Sequence, residues 1–180
     1  MKHDLRRVLL TQRQAKDPGE KERHDAALCA RLLAWCAGQP VTSIGLYWPI
    51  RGEPDLQAAY GQLAQRGIHL ALPVVVQKDA PLVFAAWVPG DAMESGAMKV
   101  PIPAQPHRLV VPQVVLIPCV GFNREKMRLG YGGGFYDRTL AQVPRPLAIG
   151  IAYQQAQAEF DADAHDIALD LILTEARTID

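Results

Sequence analysis

No excess charge of either sign appears in this chain: 19 Lys and Arg stand against 19 Asp and Glu, for a formal net charge of zero. Binding to nucleic acid or to an anionic membrane surface draws on a basic surplus, so neither is expected. Any anionic ligand must be held by a local cluster instead. Cysteine is also scarce. Cys29, Cys36 and Cys119 cannot all pair, and none stands in a C-x-x-C spacing, which argues against zinc and redox roles. Reduced thiols are the default for a cytoplasmic protein. There is no apolar run long enough to cross a bilayer, and Met1-Lys2-His3-Asp4-Leu5-Arg6-Arg7 has no apolar signal core. A cytoplasmic location without membrane contact is therefore expected. His3, His24, His69 and His107 are scattered, and no Ser/His/Asp or Cys/His arrangement is present. Neither a G-x-x-x-x-G-K-[ST] phosphate loop nor a dinucleotide fingerprint occurs. Repeats and low-complexity tracts are lacking.

What is present is glycine, concentrated in one place. Residues 128–138 read Arg-Leu-Gly-Tyr-Gly-Gly-Gly-Phe-Tyr-Asp-Arg, with Gly130, Gly132, Gly133 and Gly134 close together. Glycine is entropically costly in ordered structure, so such a cluster marks a tight turn or a close approach of backbone to something. Successive N–H groups in such a turn can converge on an anion. Arg128 and Arg138 flank the run, and Asp137 follows it. Cation, bare backbone and carboxylate together suit a metal-bound polyphosphate. The run follows an apolar strand candidate, Val114 to Val120, and precedes a helix-compatible segment, Tyr136 to Gln142. Strand, glycine loop and helix in that order often build a phosphate site.

At 180 residues the chain is expected to form one domain, residues 1–180. Leu5, Val8, Leu9 and Gln12 follow a helical period, predicting a helix over about residues 3–15. Its polar side carries Lys2, Arg6 and Arg13. Asp17-Pro18-Gly19-Glu20 is a helix start, with Asp17 as N-cap and Pro18 in first position. That helix should run to about Ala37 and stop at Gly38-Gln39-Pro40. Strands are expected at Ser43–Trp48, Ile68–Val76, Val83–Val88, Val114–Cys119, Leu147–Ala152 and Leu171–Thr174. A helix from Leu56 to Arg66 falls between the first two. Residues 89–113, rich in proline, read as a long surface connection with little regular structure. This alternation implies a three-layer α/β/α sandwich around a mostly parallel, mixed central sheet. Ligands of such sheets lie beyond the carboxyl ends of the strands. The stretches Trp48 to Glu53, Gly121 to Asp137 and Tyr153 onward should therefore share one edge.

Ile117-Pro118-Cys119-Val120-Gly121-Phe122, followed by Arg128-Leu129-Gly130-Tyr131-Gly132-Gly133-Gly134-Phe135-Tyr136-Asp137, resembles the signature of the 5-formyltetrahydrofolate cyclo-ligase family, or 5,10-methenyltetrahydrofolate synthetases. Lys2-x-x-x-Arg6, Tyr47-Trp48-Pro49 with Glu53, and His165-Asp166-Ile167-Ala168-Leu169-Asp170 to Thr174-Glu175 resemble further family segments, so the resemblance covers essentially the whole chain in order. It implies an enzyme that uses ATP, with Mg2+, to close 5-formyltetrahydrofolate to 5,10-methenyltetrahydrofolate, releasing ADP and phosphate; a monomer is expected, although the sequence does not itself give the oligomeric state. The formyl oxygen would take the γ-phosphoryl group, and N10 of the folate would then displace phosphate. The resemblance implies that Lys2, Arg6, Arg128, Leu129, Gly130, Tyr131, Gly132, Gly133, Gly134, Phe135 and Tyr136 hold ATP, with Arg128 neutralising charge on the transferred group. It assigns Trp48, Glu53, Tyr131, Gly132, Gly133, Gly134 and Phe135 to the folate, and Asp137 and Asp166 to magnesium.

Several of these assignments have a plainer alternative, and the glycine run itself would also suit a flexible turn. Lys2 and Arg6 would also suit a solvated helix face, and Arg128 an ion pair. Asp137 would also serve as an N-cap, Asp166 as a turn residue, and Trp48, Phe135 and Tyr136 as core. Five positions depart from the family pattern: Asn123 for a common Asp, Gly133 for a Lys in some members, Phe135 for a frequent Tyr, and Ala104-Gln105 after Ile102-Pro103 for a Glu-Pro, which leaves that loop unassigned. Two other functions share these features, a phosphotransferase of the same fold with another amide-like substrate and a non-catalytic folate or nucleotide binder. Retention of Trp48 and Glu53 disfavours the first. Retention of Arg128, Asp137 and Asp166 disfavours the second.

Overall fold

The computed structural model describes residues 1–180. Two helices open the chain, α1 (Lys2–Gln14) and α2 (Pro18–Ala37). The Asp17 carboxylate accepts the Glu20 N–H at 3.0 Å and Pro18 takes the first position, so α2 starts where the capping residues predict. Then come β1 (Ser43–Gly45), α3 (Gln57–Gln65), β2 (His69–Val74), β3 (Val83–Ala86), β4 (Met93–Ser95), β5 (Pro101–Pro103), β6 (Leu109–Val110), β7 (Val114–Pro118), β8 (Gly121–Phe122) and β9 (Arg128–Leu129). The chain closes with α4 (Phe135–Leu140), β10 (Leu147–Ile151), β11 (Leu171–Leu173) and β12 (Thr178–Ile179).

Eight strands form the main sheet in the order β12-β11-β10-β7-β1-β2-β3-β6. The five central strands are parallel, while β12, β3 and β6 run antiparallel to their neighbours. Strands β2 and β3 form an antiparallel hairpin. Strand β7 shows why the sheet is covered on both faces. Val114 and Leu116 join the core beneath α2 and α3, whereas Val115 and Ile117 join the opposite core with Phe84, Leu140 and Ile172. A side-chain period of two with Val114 to Ile117 all buried leaves no polar face. The two helical layers are unequal. Helices α2 and α3 cover one face, while the other is covered by the six-residue α4 and by irregular chain. Helix α1 lies beyond the carboxyl end of β7 instead, with Leu9 packed on Val120, Leu129 and Phe160.

The connection 89–113 is more ordered than its prolines suggest. Strands β4 and β5 form a separate two-stranded hairpin, and β6 extends the main sheet beside β3. Proline lacks a ladder donor and is tolerated on edge strands, which is where Pro101 and Pro103 stand. Two further departures matter for the site. Strand β1 ends at Gly45 rather than Trp48, because Pro49 and the positive-φ pair Arg51 (49°) and Gly52 (74°) turn the chain out of the sheet. The segment after β7 makes a small hairpin, β8–β9, that pairs Phe122 with Arg128. The order of connections reverses between β1 and β7, so their carboxyl ends flank the crevice where open α/β sheets bind ligands.

Candidate active site

Backbone conformation shapes the glycine loop. Gly132 and Gly134 have φ of 96° and 67°, a left-handed region that costs other residues about 1–2 kcal/mol. Gly134 is the N-cap of α4, and Asp137 lies in the first turn of that helix, so Asp137 is no cap. The loop borders a cavity of about 840 Å³ lined by four cationic side chains, Lys2, Arg6, Arg128 and Arg138, and three carboxylates, Asp137, Asp163 and Asp166. Its remaining wall includes Leu129 to Tyr136 and His165-Asp166-Ile167.

Every residue expected at ATP or magnesium lines this one cavity. Three chain segments far apart in sequence hold it. Lys2 Nζ bridges Asp163 Oδ2 at 2.7 Å and Asp166 Oδ2 at 2.9 Å. Arg6 Nε donates to the Gly130 carbonyl at 2.5 Å. Arg128 Nη2 pairs with Asp137 Oδ2 at 2.7 Å, with the Arg128 side chain only 7% exposed. The other Asp137 oxygen accepts the Ile167 N–H at 3.1 Å, which ties α4 to the C-terminal segment. Asp166 is held by Lys2 and by the Asp163 N–H rather than by His165. Burial acts to raise the Asp166 pKa, but the Asp163 N–H and the Lys2 ammonium outweigh it and hold it below the ordinary 3.8. Desolvation likewise acts to lower Lys2, yet the two aspartates raise it.

The residues expected at the folate are divided. Tyr131 to Phe135 line the cavity; Trp48 and Glu53 do not. Trp48 is half-buried on the α2–α3 side of the sheet, edge-on to Trp87 with ring centroids 6.1 Å apart. Glu53 is 2% exposed. Its Oε2 accepts the Ile50 N–H at 3.0 Å and its Oε1 accepts the Tyr131 hydroxyl at 2.8 Å. Burial pushes the Glu53 carboxyl above the usual 4.5, although Ile50, Tyr131, Arg13 and Arg51 all act the other way.

Arg13 is the residue that sequence reasoning left without a role. It is 5% exposed, donates through Nη2 to the Tyr131 hydroxyl at 2.5 Å, and donates through Nε to the Arg51 carbonyl at 3.1 Å. Its place on the same helix side as Arg6 was the available signal. Asn123 has a structural explanation. Fully buried, it accepts the Glu125 and Met127 N–H groups and donates to the Phe160 carbonyl at 3.1 Å. A carboxylate has no hydrogen for that last bond. The three cysteines are free and buried, and burial pushes Cys36 up to about 11 and Cys119 to about 12, so neither supplies a thiolate.

An α/β protein with a charged, glycine-bordered cavity beyond the carboxyl ends of its parallel strands is the class this architecture defines. Residues 1–175 match the 5-formyltetrahydrofolate cyclo-ligase family. A 5-formyltetrahydrofolate cyclo-ligase of Mycoplasma pneumoniae is 32% identical over 177 residues, covering 97% of this chain and 98% of that protein. Another, from Mycolicibacterium smegmatis, is 30% identical over 99% of this chain and 95% of its own. The NMR structure of Aquifex aeolicus 5,10-methenyltetrahydrofolate synthetase superposes with a TM-score of 0.85 at 27% identity, covering 98% of this chain and 91% of that one. The chain belongs to the 5-formyltetrahydrofolate cyclo-ligase family, ATP-dependent ligases of reduced-folate one-carbon metabolism.

Proposed function

We propose that this chain closes 5-formyltetrahydrofolate to 5,10-methenyltetrahydrofolate in two steps within the 840 Å³ cavity, with ATP phosphates on the glycine loop. The observation that carries the reading is the convergence there of Lys2, Arg6 and Arg128 with Asp137 and Asp166 beside bare loop backbone. In the first step the formyl oxygen bonds to the γ-phosphorus and ADP leaves. In the second, N10 attacks the activated carbon, the C–O bond breaks with its electrons going to phosphate, and N10 loses its proton. Phosphorylation turns a poor leaving group into a good one. For such transfers the protein mainly positions groups and neutralises charge. Arg128 faces the transferred phosphoryl group, Lys2 and Arg6 hold the other phosphates, and Phe135 and Tyr136 flank the loop.

Magnesium fits the donor set. Two carboxylates, Asp137 and Asp166, line the cavity, and hydrogen bonds to Asp166 converge on Oδ2 alone. Magnesium takes one or two carboxylates with phosphate oxygens and water, and no cluster of three ligating side chains exists to hold it before ATP arrives. Bound there, it would supply positive charge to the phosphates. Glu53 offers paired acceptors to the pterin amino and ring N–H groups, and Trp48 offers an apolar face. The working unit is read as a monomer, which light scattering can check.

The deciding experiment mixes the purified protein with magnesium, ATP and 5-formyltetrahydrofolate and follows methenyl-folate absorbance in the near ultraviolet. ATP-dependent product is expected. No product at high enzyme concentration sinks the reading.

A further inference from the structure

Tyr131 stands between two compartments. On one side it lines the phosphate cavity, and on the other its hydroxyl sits on Glu53 Oε1 at 2.8 Å. Glu53 is only 2% exposed, so nothing reaches its carboxylate while this bond and the surrounding groups stay in place. Three cationic contacts fix the tyrosine. Arg13 Nη2 donates to the phenol oxygen at 2.5 Å, the Arg13 guanidinium lies 5.9 Å from the ring centroid, and the Arg51 guanidinium lies 5.3 Å from it. A guanidinium has donors only. Arg13 therefore occupies the phenol oxygen as an acceptor and commits the phenol hydrogen to Glu53.

Helix α1 grips the loop at two successive residues, Arg6 on the Gly130 carbonyl and Arg13 on the Tyr131 hydroxyl. The tyrosine is itself set among Gly130, Gly132, Gly133 and Gly134, and is 38% exposed. A side chain on such a backbone can leave Glu53 without disturbing the core.

We propose that Arg13 and Tyr131 form a latch over Glu53 that the reduced pterin must open, and that opening it re-sets the glycine loop, so folate occupancy tunes ATP affinity. The proposal rests on the reading of Glu53 as the pterin acceptor. Tyr131 and Arg13 act here as positioning residues. A fraction of the protein must pay out the closed state before folate binds, and removing the latch raises the competent fraction and tightens apparent binding.

The test titrates wild type and Tyr131→Phe with 5-formyltetrahydrofolate, and with a non-hydrolysable ATP analogue plus magnesium in the presence and absence of that folate. Phe keeps the ring and removes the hydrogen bond. The expected result is a folate Kd about three- to tenfold lower in the variant, the scale of one ordinary net hydrogen bond. The dependence of analogue affinity on folate, clear in wild type, should shrink towards none. Arg13→Lys, checked for folding by its thermal melt, should move both constants the same way. A merely structural tyrosine would lower the melting temperature without tightening a ligand. An unchanged or raised folate Kd in Tyr131→Phe overturns the latch, as does folate–ATP coupling that persists undiminished. Wild-type turnover separates this from the parent reading. If wild type makes product and the variant behaves identically, only the latch falls; if wild type neither binds folate nor turns over, both fall.

Discussion

Asp137 is tied into the fold at the site proposed for magnesium-ATP. It neutralises an Arg128 side chain that is 7% exposed and also accepts the Ile167 N–H. Removing one partner of a buried pair strands the other charge, at about 3–5 kcal/mol. Asp137→Ala should therefore lose both stability and turnover. Asp137→Asn keeps the shape, and we expect kcat/KM to fall about 100-fold or more through weaker magnesium-ATP positioning. Circular-dichroism melts beside initial rates separate the two effects; near wild-type rates in Asp137→Asn would take this residue out of the site. Glu53 behaves differently. Its folded pKa lies above 4.5, so its contribution to stability is fully present below 4.5 and is lost as pH rises through the folded value. The ionised carboxylate is thus a net cost to the fold at neutral pH. Glu53→Gln should raise the melting temperature at pH 7 while weakening folate binding about tenfold or more, with ATP affinity kept. In wild type, folate KM should begin to rise on acidification at a pH where an ordinary glutamate is still ionised. A variant that retains that acid limb would contradict the assignment.

Elements contribute through where they start and stop. The β8–β9 hairpin and the Gly134 cap aim Arg128 and Asp137 at each other from either end of the loop. Gly134→Ala must accept a φ of 67°, and its new methyl carbon would stand 3.0 Å from Arg138 Nη1, the movable end of a side chain. Left-handed strain of about 1–2 kcal/mol is the expected loss, together with a raised KM for ATP. A neutral outcome in both melts and KM would show that the loop does not need this conformation. Helix α2 offers a control far from the chemistry. Asp17→Ala removes the bond to the Glu20 N–H and should cost about 1 kcal/mol, or about 2–4 °C in a chain of this size, with kcat unchanged.

For the molecule as a whole, the cavity exists only because the two ends of the chain meet. Lys2 reaches Asp163 and Asp166 across most of the sequence, and the Asp166–Ile167 segment is tied in turn to Asp137. These Lys2 pairs are partly exposed, with the Asp163 side chain 75% accessible, so Lys2→Ala should change stability by about 0–1 kcal/mol. Its effect should appear instead as a KM for ATP raised about tenfold, the size of one lost charge-assisted bond to phosphate. A melting temperature that collapses while KM stays constant would make Lys2 a structural clamp.

Much of this was legible in one dimension. The unbroken apolar run Val114–Ile117, the Asp17-Pro18 start and the apolar periodicity of the helices point to a mostly parallel sheet with helices on it, because local sterics and side-chain period act over a few residues. The glycine run with Arg128 and Asp137 pointed, by local pattern alone, to the loop that borders the cavity. Edges were harder to read. The order within 89–113, the short β8–β9 pair and the early end of β1 depend on neighbours that sequence spacing does not reveal. Only the tertiary structure decided that Arg13 is buried on Tyr131, that Tyr131 covers Glu53, and that Asp163 shares Lys2 with Asp166. Those contacts join residues from 78 to 164 positions apart where they span the chain, and they arise from packing α1 beyond the carboxyl end of β7 rather than from any local preference.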